Sequence, residues 1–155
     1  MLQTKRADFS GIAARFHISP VTARIIRNRD VEGETAIDRY LNGTLDQLYD
    51  PHLMKDMDKA ASLILEKIQA GARIRIVGDY DIDGVCSTYL LYRGLSRCGG
   101  HVDYQIPERI RDGYGINESI IRKAKEDGID TIVTCDNGIA ALEQVRLAKE
   151  LGMTV

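Results

Sequence analysis

With 155 residues, 44% of them hydrophobic and 28% charged, the chain has material for one ordinary domain with a soluble surface, plus at most a small appendage. It contains no apolar run near the roughly 18 residues a membrane helix needs, and MLQTKRADFSG at the N-terminus lacks the apolar stretch of a secretion signal. Lysine and arginine total 21 against 23 aspartates and glutamates, so overall charge gives no support for a polyanionic partner and any such surface must be local.

The first stretch, residues 1–71, reads as a helical segment. Helical patches run over Phe9 to Phe16, Pro20 to Arg29 and Thr35 to Leu41. Met54, Met57, Ala61, Ile64, Leu65 and Ile68 then recur at helical spacing, predicting one long helix that Gly71 ends. From residue 72 to 155 the pattern changes. RIRIV (Arg73 to Val77) is a β-branched run. Val85 to Arg97 is a helix stopped by Gly99-Gly100. HVDYQI (His101 to Ile106) alternates with period two up to Pro107. Asn117 caps a helix closed by Gly128, DTIVTC (Asp130 to Cys135) is an apolar strand, and Leu142, Val145 and Ala148 mark a helix ended by Gly152. Strand and helix in alternation predict an α/β domain, a parallel sheet flanked by helices. Met153-Thr154-Val155 reads as the opening of another strand, and the expectation is that the chain was cut from something longer.

The most informative segment is VGDYDIDG (Val77 to Gly84), where Asp79, Asp81 and Asp83 sit at every second position as a buried strand leaves the sheet. Residues two apart on an extended chain share a side, so the three carboxylates converge. Like charges at close quarters repel, and a hard divalent cation with oxygen ligands, Mg²⁺ or Mn²⁺, removes that penalty. Alone, the segment reads equally well as an acidic turn with Asp83 capping the next helix. TCDNGI tips the balance, because it places Asp136 directly after a second strand of the same parallel sheet, at the same edge.

In order, GDYDIDG (Gly78 to Gly84), IPERIRDGYGI (Ile106 to Ile116) and TCDNGI (Thr134 to Ile139) resemble motifs of the DHH phosphoesterase family. The middle segment resembles a stretch carried by the family's exonucleases of single-stranded DNA and not by its smaller oligonucleotide phosphatases. The upstream run from Asp50 to Asp81 shares the likeness. The resemblance implies 5′-to-3′ hydrolysis of single-stranded DNA with two Mn²⁺ or Mg²⁺ ions, in repair and recombination, in company with a helicase and a single-strand-binding protein. Asp81 and Asp83 match first-motif metal ligands, Asp136 matches the carboxylate that touches both metals, and Asp79 matches an acidic position beside them. Many members carry a metal-binding histidine where this chain has Val77. The family's Asp-His-His motif, a later aspartate and a second domain are expected beyond Val155, so the 155 residues alone are expected to bind Mn²⁺ feebly and to leave DNA uncut.

Other residues divide between chemistry and structure. Arg109 and Arg111 suit phosphate oxygens, with a solvated basic loop equally open. Tyr114, between Gly113 and Gly115, can stack on a base or pack its loop. Asn137 either shapes its turn or contacts the substrate. His17, His52 and His101 have no partner at metal spacing, and Cys86, Cys98 and Cys135 fit neither a zinc pattern nor a disulfide framework, which points to a reducing, cytoplasmic setting. IAARFHISPVTARIIRNRD (Ile12 to Asp30) has some character of a helix-turn-helix, with Arg24, Arg27 and Arg29 along its second helix, which opens an alternative as a DNA-binding regulator. A second alternative is a phosphoesterase of short oligonucleotides, cyclic dinucleotides or pyrophosphate.

Overall fold

The structure is a computed structural model, and it describes residues 5–108, 110, 113 and 115–155. The chain divides into two compact units, one ending at Lys55 and one running from Asp56 to Val155.

The first unit is helical: α1 (Phe9–Phe16), α2 (Pro20–Asn28) and α3 (Glu34–Asn42), followed by two short turns of tighter helix at Leu45–Gln47 and Pro51–Leu53. Its helices start where side chains satisfy free N–H groups. Asp8 accepts from Gly11, and Ser19 accepts from Thr22 ahead of Pro20. Of the three basic residues that suggested a recognition helix, Arg24 lies over the ring of Phe9 at 4.6 Å, and Arg27 pairs with Glu32 at 2.9 Å. Arg29 stands past the last turn of α2 as its cap. Arg27 is thus engaged within the unit, while Arg24 and Arg29 remain exposed.

The second unit opens with α4 (Met57–Gln69). The helix starts after the apolar pattern does, because Asp56 adopts a left-handed backbone conformation (φ 58°) that separates it from Met54. The sheet that follows is parallel, in the order β2-β1-β3, with β1 (Arg73–Val77) in the middle between β2 (His101–Gln105) and β3 (Thr131–Thr134). Ile74, Ile76 and Val77 of β1 are fully buried, as expected of a β-branched central strand. Connecting and following helices are α5 (Ile82–Arg97), α6 (Glu118–Glu126) and α7 (Leu142–Glu150). The expected strand opening at the C-terminus shows as a parallel bridge from Thr154 to Thr131.

The largest apolar cluster joins Val77 and Ile132 of the sheet to Ile120, Ile121 and Ala124 of α6 and Ala148 of α7. Each buried isoleucine there contributes about 1.5–3 kcal/mol. Asn117 caps α6 by accepting from the Ile120 N–H at 3.0 Å. Through these contacts the sheet is held rigid where its carboxyl edge gives way to loops.

Candidate metal centre

Two loops meet at that edge. The first leaves β1 at Val77 and enters α5 at Ile82, with only Gly78, Asp79, Tyr80 and Asp81 between. Asp81 caps α5, its Oδ1 accepting from the Gly84 N–H at 3.0 Å. The cap is thus Asp81 and not Asp83, which lies exposed in the first helical turn. So short a link requires glycine. A Cβ on Gly84 would sit 2.4 Å from the Asp79 carbonyl oxygen, and one on Gly78 would sit 2.0 Å from Oγ1 of Thr88.

The second loop follows β3. Asp136 has φ 58°, and Gly138 has φ 94° with Thr134 so close that a side chain would collide. The side-chain amide of Asn137 donates to the carbonyls of Val77 and Cys135, both at 2.9 Å, while its Oδ1 accepts from the Ile116 N–H at 3.3 Å.

These loops bring Asp79, Asp81 and Asp136 together, each offering a carboxylate oxygen within 4.8 Å of the others. Asp83 stands outside that group of three but near enough for its charge to act on Asp136. The convergence comes from a turn folded under a helix start and not from strand alternation, because β1 ends before Asp79. Asp79 is 1% exposed, and among the described residues neither of its oxygens has a hydrogen-bond partner. Desolvation, and then the charges of Asp81, Asp83 and Asp79, hold the Asp136 carboxyl above the usual carboxylate range. A buried carboxylate without a donor is costly unless a cation neutralises it. The donor set, oxygen only and acidic, fits a hard divalent ion. An open cavity of about 590 Å³ adjoins it, lined by Asp136, Asn137, Gly138, Ile139 and Gln144 among others.

Comparison with known proteins agrees with this geometry. Residues 73–155 match the family model described as DHH family, N-terminal domain. The chain belongs to the DHH family. Among curated DHH relatives, it is 38% identical over 144 residues to the single-stranded-DNA-specific exonuclease RecJ of Bacillus subtilis, spanning 93% of this chain and 18% of that protein. The RecJ of Escherichia coli is 32% identical over 139 residues, 89% of this chain and 23% of that one. The chain therefore spans about a fifth of the length of these relatives. A crystal structure of exonuclease RecJ bound to manganese matches 68% of the chain and 27% of its own length, with TM-score 0.63 and 35% identity. A crystal structure of RecJ from Thermus thermophilus in complex with Mn²⁺ covers 95% of the chain and 20% of its own length, with TM-score 0.59 and 27% identity.

Against the DHH pattern, Val77 is fully buried in the apolar cluster with Ile120 and Ile121. The position that the resemblance leads one to expect as a histidine ligand supplies packing here. Arg109, Arg111 and Tyr114 lie outside the described residues. Two structural residues are absent from the expectations drawn from sequence. Arg75 is a strand residue whose guanidinium joins β2 to the end of α6, and Thr88 is buried against Cys135. Charged Arg75 between Ile74 and Ile76 was the available signal. Among the described residues, no helix is long and apolar enough to cross a membrane.

Proposed function

We propose that the protein to which this chain belongs is a metal-dependent 5′-to-3′ exonuclease of single-stranded DNA, hydrolysing phosphodiesters by a two-metal mechanism. The observation that carries this reading is the meeting of Asp79, Asp81 and Asp136 from two strand ends, with the Asp79 carboxylate buried and unpartnered among the described residues. Asp81 and Asp136, with Asp79 beside them, would hold one cation, and Asp83 with Asp136 would serve a second. Divalent cations bound there supply Lewis acidity, neutralising phosphoryl oxygens and making water a competent nucleophile at neutral pH. The chain's own residues fix the spacing of the carboxylates and hold Asp136 where α5 and β3 converge. Arg109 and Arg111 would grip the phosphate backbone, and Tyr114 would stack on a base. The manganese in the RecJ structures and the single-strand specificity in the relatives' names support the choice of ion and substrate. The proposal extends to a cytoplasmic role in repair and recombination, with a helicase and a single-strand-binding protein as the partners such a role would call for.

The test uses the full-length protein with 5′- and 3′-labelled single-stranded DNA, cyclic dinucleotide and pyrophosphate, each with and without Mn²⁺. Mononucleotides released from the 5′ end only when Mn²⁺ is present, and lost in Asp136→Ala, are the expected result. Preference for the small substrates would reassign the protein to the family's oligonucleotide phosphatases. Tight, metal-independent binding to one duplex sequence would restore the regulator. The 155-residue chain by itself is expected to leave DNA uncut, and robust Mn²⁺-dependent cleavage by it would overturn that expectation.

A further inference from the structure

We infer that Asn137 is a positioning residue that ties the metal-binding carboxylates to the end of the arginine-bearing loop. The inference rests on the metal centre proposed above. An Asn-Gly pair is ordinarily a turn signal, and a turn needs nothing from the asparagine beyond its local backbone preference. Here both hydrogens of the amide are spent on carbonyls, one of them Val77, sixty residues earlier in the chain. The Val77 carbonyl also accepts from the Cys135 N–H at 3.1 Å, the last rung between β1 and β3. Asn137 therefore extends the pairing of the two strands by one side-chain rung, at the point where one chain turns toward Asp79 and the other toward Asp136. Asp136 is a non-glycine residue in the left-handed region, which aspartate tolerates at a small cost that neighbouring contacts can offset. Asn137 is its immediate neighbour and is anchored on both sides. The third contact reaches Ile116, the last residue of the IPERIRDGYGI segment, and Gly115 packs so closely that a Cβ there would lie 3.1 Å from the Asn137 Cβ. One amide thus fixes the separation of the strand ends and the return of the loop. An aspartate of the same shape lacks the two donors.

The test is Mn²⁺ binding to the chain, read by electron paramagnetic resonance, for the parent, Asn137→Ala and a core control, Ile121→Val. Asn137→Ala is expected to bind at least about tenfold more weakly, the scale on which residues that orient metal ligands act, with its far-ultraviolet circular dichroism retained. Ile121→Val is expected to lower the melting temperature and keep the parent's affinity. Equal affinity in parent and Asn137→Ala overturns the inference alone, as does an equal loss in the core control. A parent that binds no Mn²⁺ overturns the metal centre as well. If Asn137→Ala does not fold, Mg²⁺ titration of the unmodified chain by ¹H–¹⁵N spectroscopy decides. The Asn137 side-chain amide must shift with the same apparent Kd as the Asp136 backbone amide, and resonances that stay fixed refute the role.

Discussion

Arg75 and Asp103 face each other across β1 and β2 and join through two parallel hydrogen bonds, Nε to Oδ1 and Nη2 to Oδ2, each 2.8 Å. The third arm of the guanidinium reaches Asp127, the cap of α6, at 2.9 Å. Only 9% of the arginine side chain is exposed, whereas its partners keep contact with water. The network therefore fastens the edge strand and α6 to the central strand at modest desolvation cost, using a fork geometry that lysine cannot copy. Arg75→Met removes the charge with little loss of bulk, takes the fork away from Asp103 and leaves Asp127 to Lys123. A loss of about 2 kcal/mol is expected from denaturant unfolding, and Arg75→Lys should recover only part of it. Full recovery by lysine would show that the fork is immaterial.

The same network makes stability fall in acid. The ammonium of Lys123, and after it the guanidinium of Arg75, hold the Asp127 carboxyl below its ordinary value. A carboxyl whose folded pKa is depressed stabilises the fold fully above the unfolded value, near 4, and that contribution disappears as pH falls through the folded one. Parent and Asp127→Asn should therefore differ most near neutrality and converge as pH falls below the ordinary carboxylate range. Urea midpoints across that range are the measurement. A constant gap between the two proteins would mean that Asp127 acts through packing and not through its charge.

The sheet was readable in the sequence because its strands are short β-branched, apolar or period-two runs punctuated by Gly, Pro or Asp, and those signals are local. Helix stops were equally visible: Gly71, Gly99, Gly128 and Gly152 all adopt positive φ. The start of α5 was read at Val85, three residues late, because its first turn carries Asp83 and Gly84 and takes its definition from the Asp81 cap. The meeting of Asp79, Asp81 and Asp136 could be anticipated from two acidic strand ends. Which carboxylates stand nearest one another could not, since that depends on where β1 gives way to α5. The ties made by Arg75 and Asn137 were illegible for one reason. Arg75 reaches partners 28 and 52 residues away, and Asn137 reaches Ile116 and Val77 at 21 and 60, and no local pattern encodes bonds of that span.

Carboxylates crowded without a cation destabilise the fold, so metal ions and neutralising substitutions should act in the same direction. A ligand that binds only the folded state at about 100 times its Kd adds about 2.7 kcal/mol. Mn²⁺ is expected to raise the melting temperature of the parent, and EDTA to reverse the rise. Asp136→Asn suits the left-handed backbone, since asparagine tolerates it. It also removes a carboxyl whose pKa is raised by desolvation and by its neighbours' charges. With EDTA present, Asp136→Asn should melt above the parent at neutral pH, and the difference should shrink as acid protonates Asp136 in the parent. The variant should also lose most of the Mn²⁺ response. An unchanged response would remove Asp136 from the site.

Two glycines of the same helix should respond in opposite ways to the same methyl group. Gly94 has open space around the position of a Cβ, and it lies inside α5. Gly94→Ala should stabilise by about 0.5–1 kcal/mol, because alanine loses less backbone freedom on entering a helix. At Gly84 the added carbon would fall 2.4 Å from the Asp79 carbonyl oxygen and 2.6 Å from its nitrogen, both backbone atoms that cannot turn aside. Relief requires α5 to move off the end of β1, which opens the space between Asp79 and Asp81. Gly84→Ala is therefore expected to destabilise by several times the Gly94 gain and to weaken Mn²⁺ binding, with thermal melts and a Mn²⁺ titration on both variants as the check. A Gly84→Ala protein with parental stability and affinity would mean that the first turn of α5 does not set the spacing of the carboxylates.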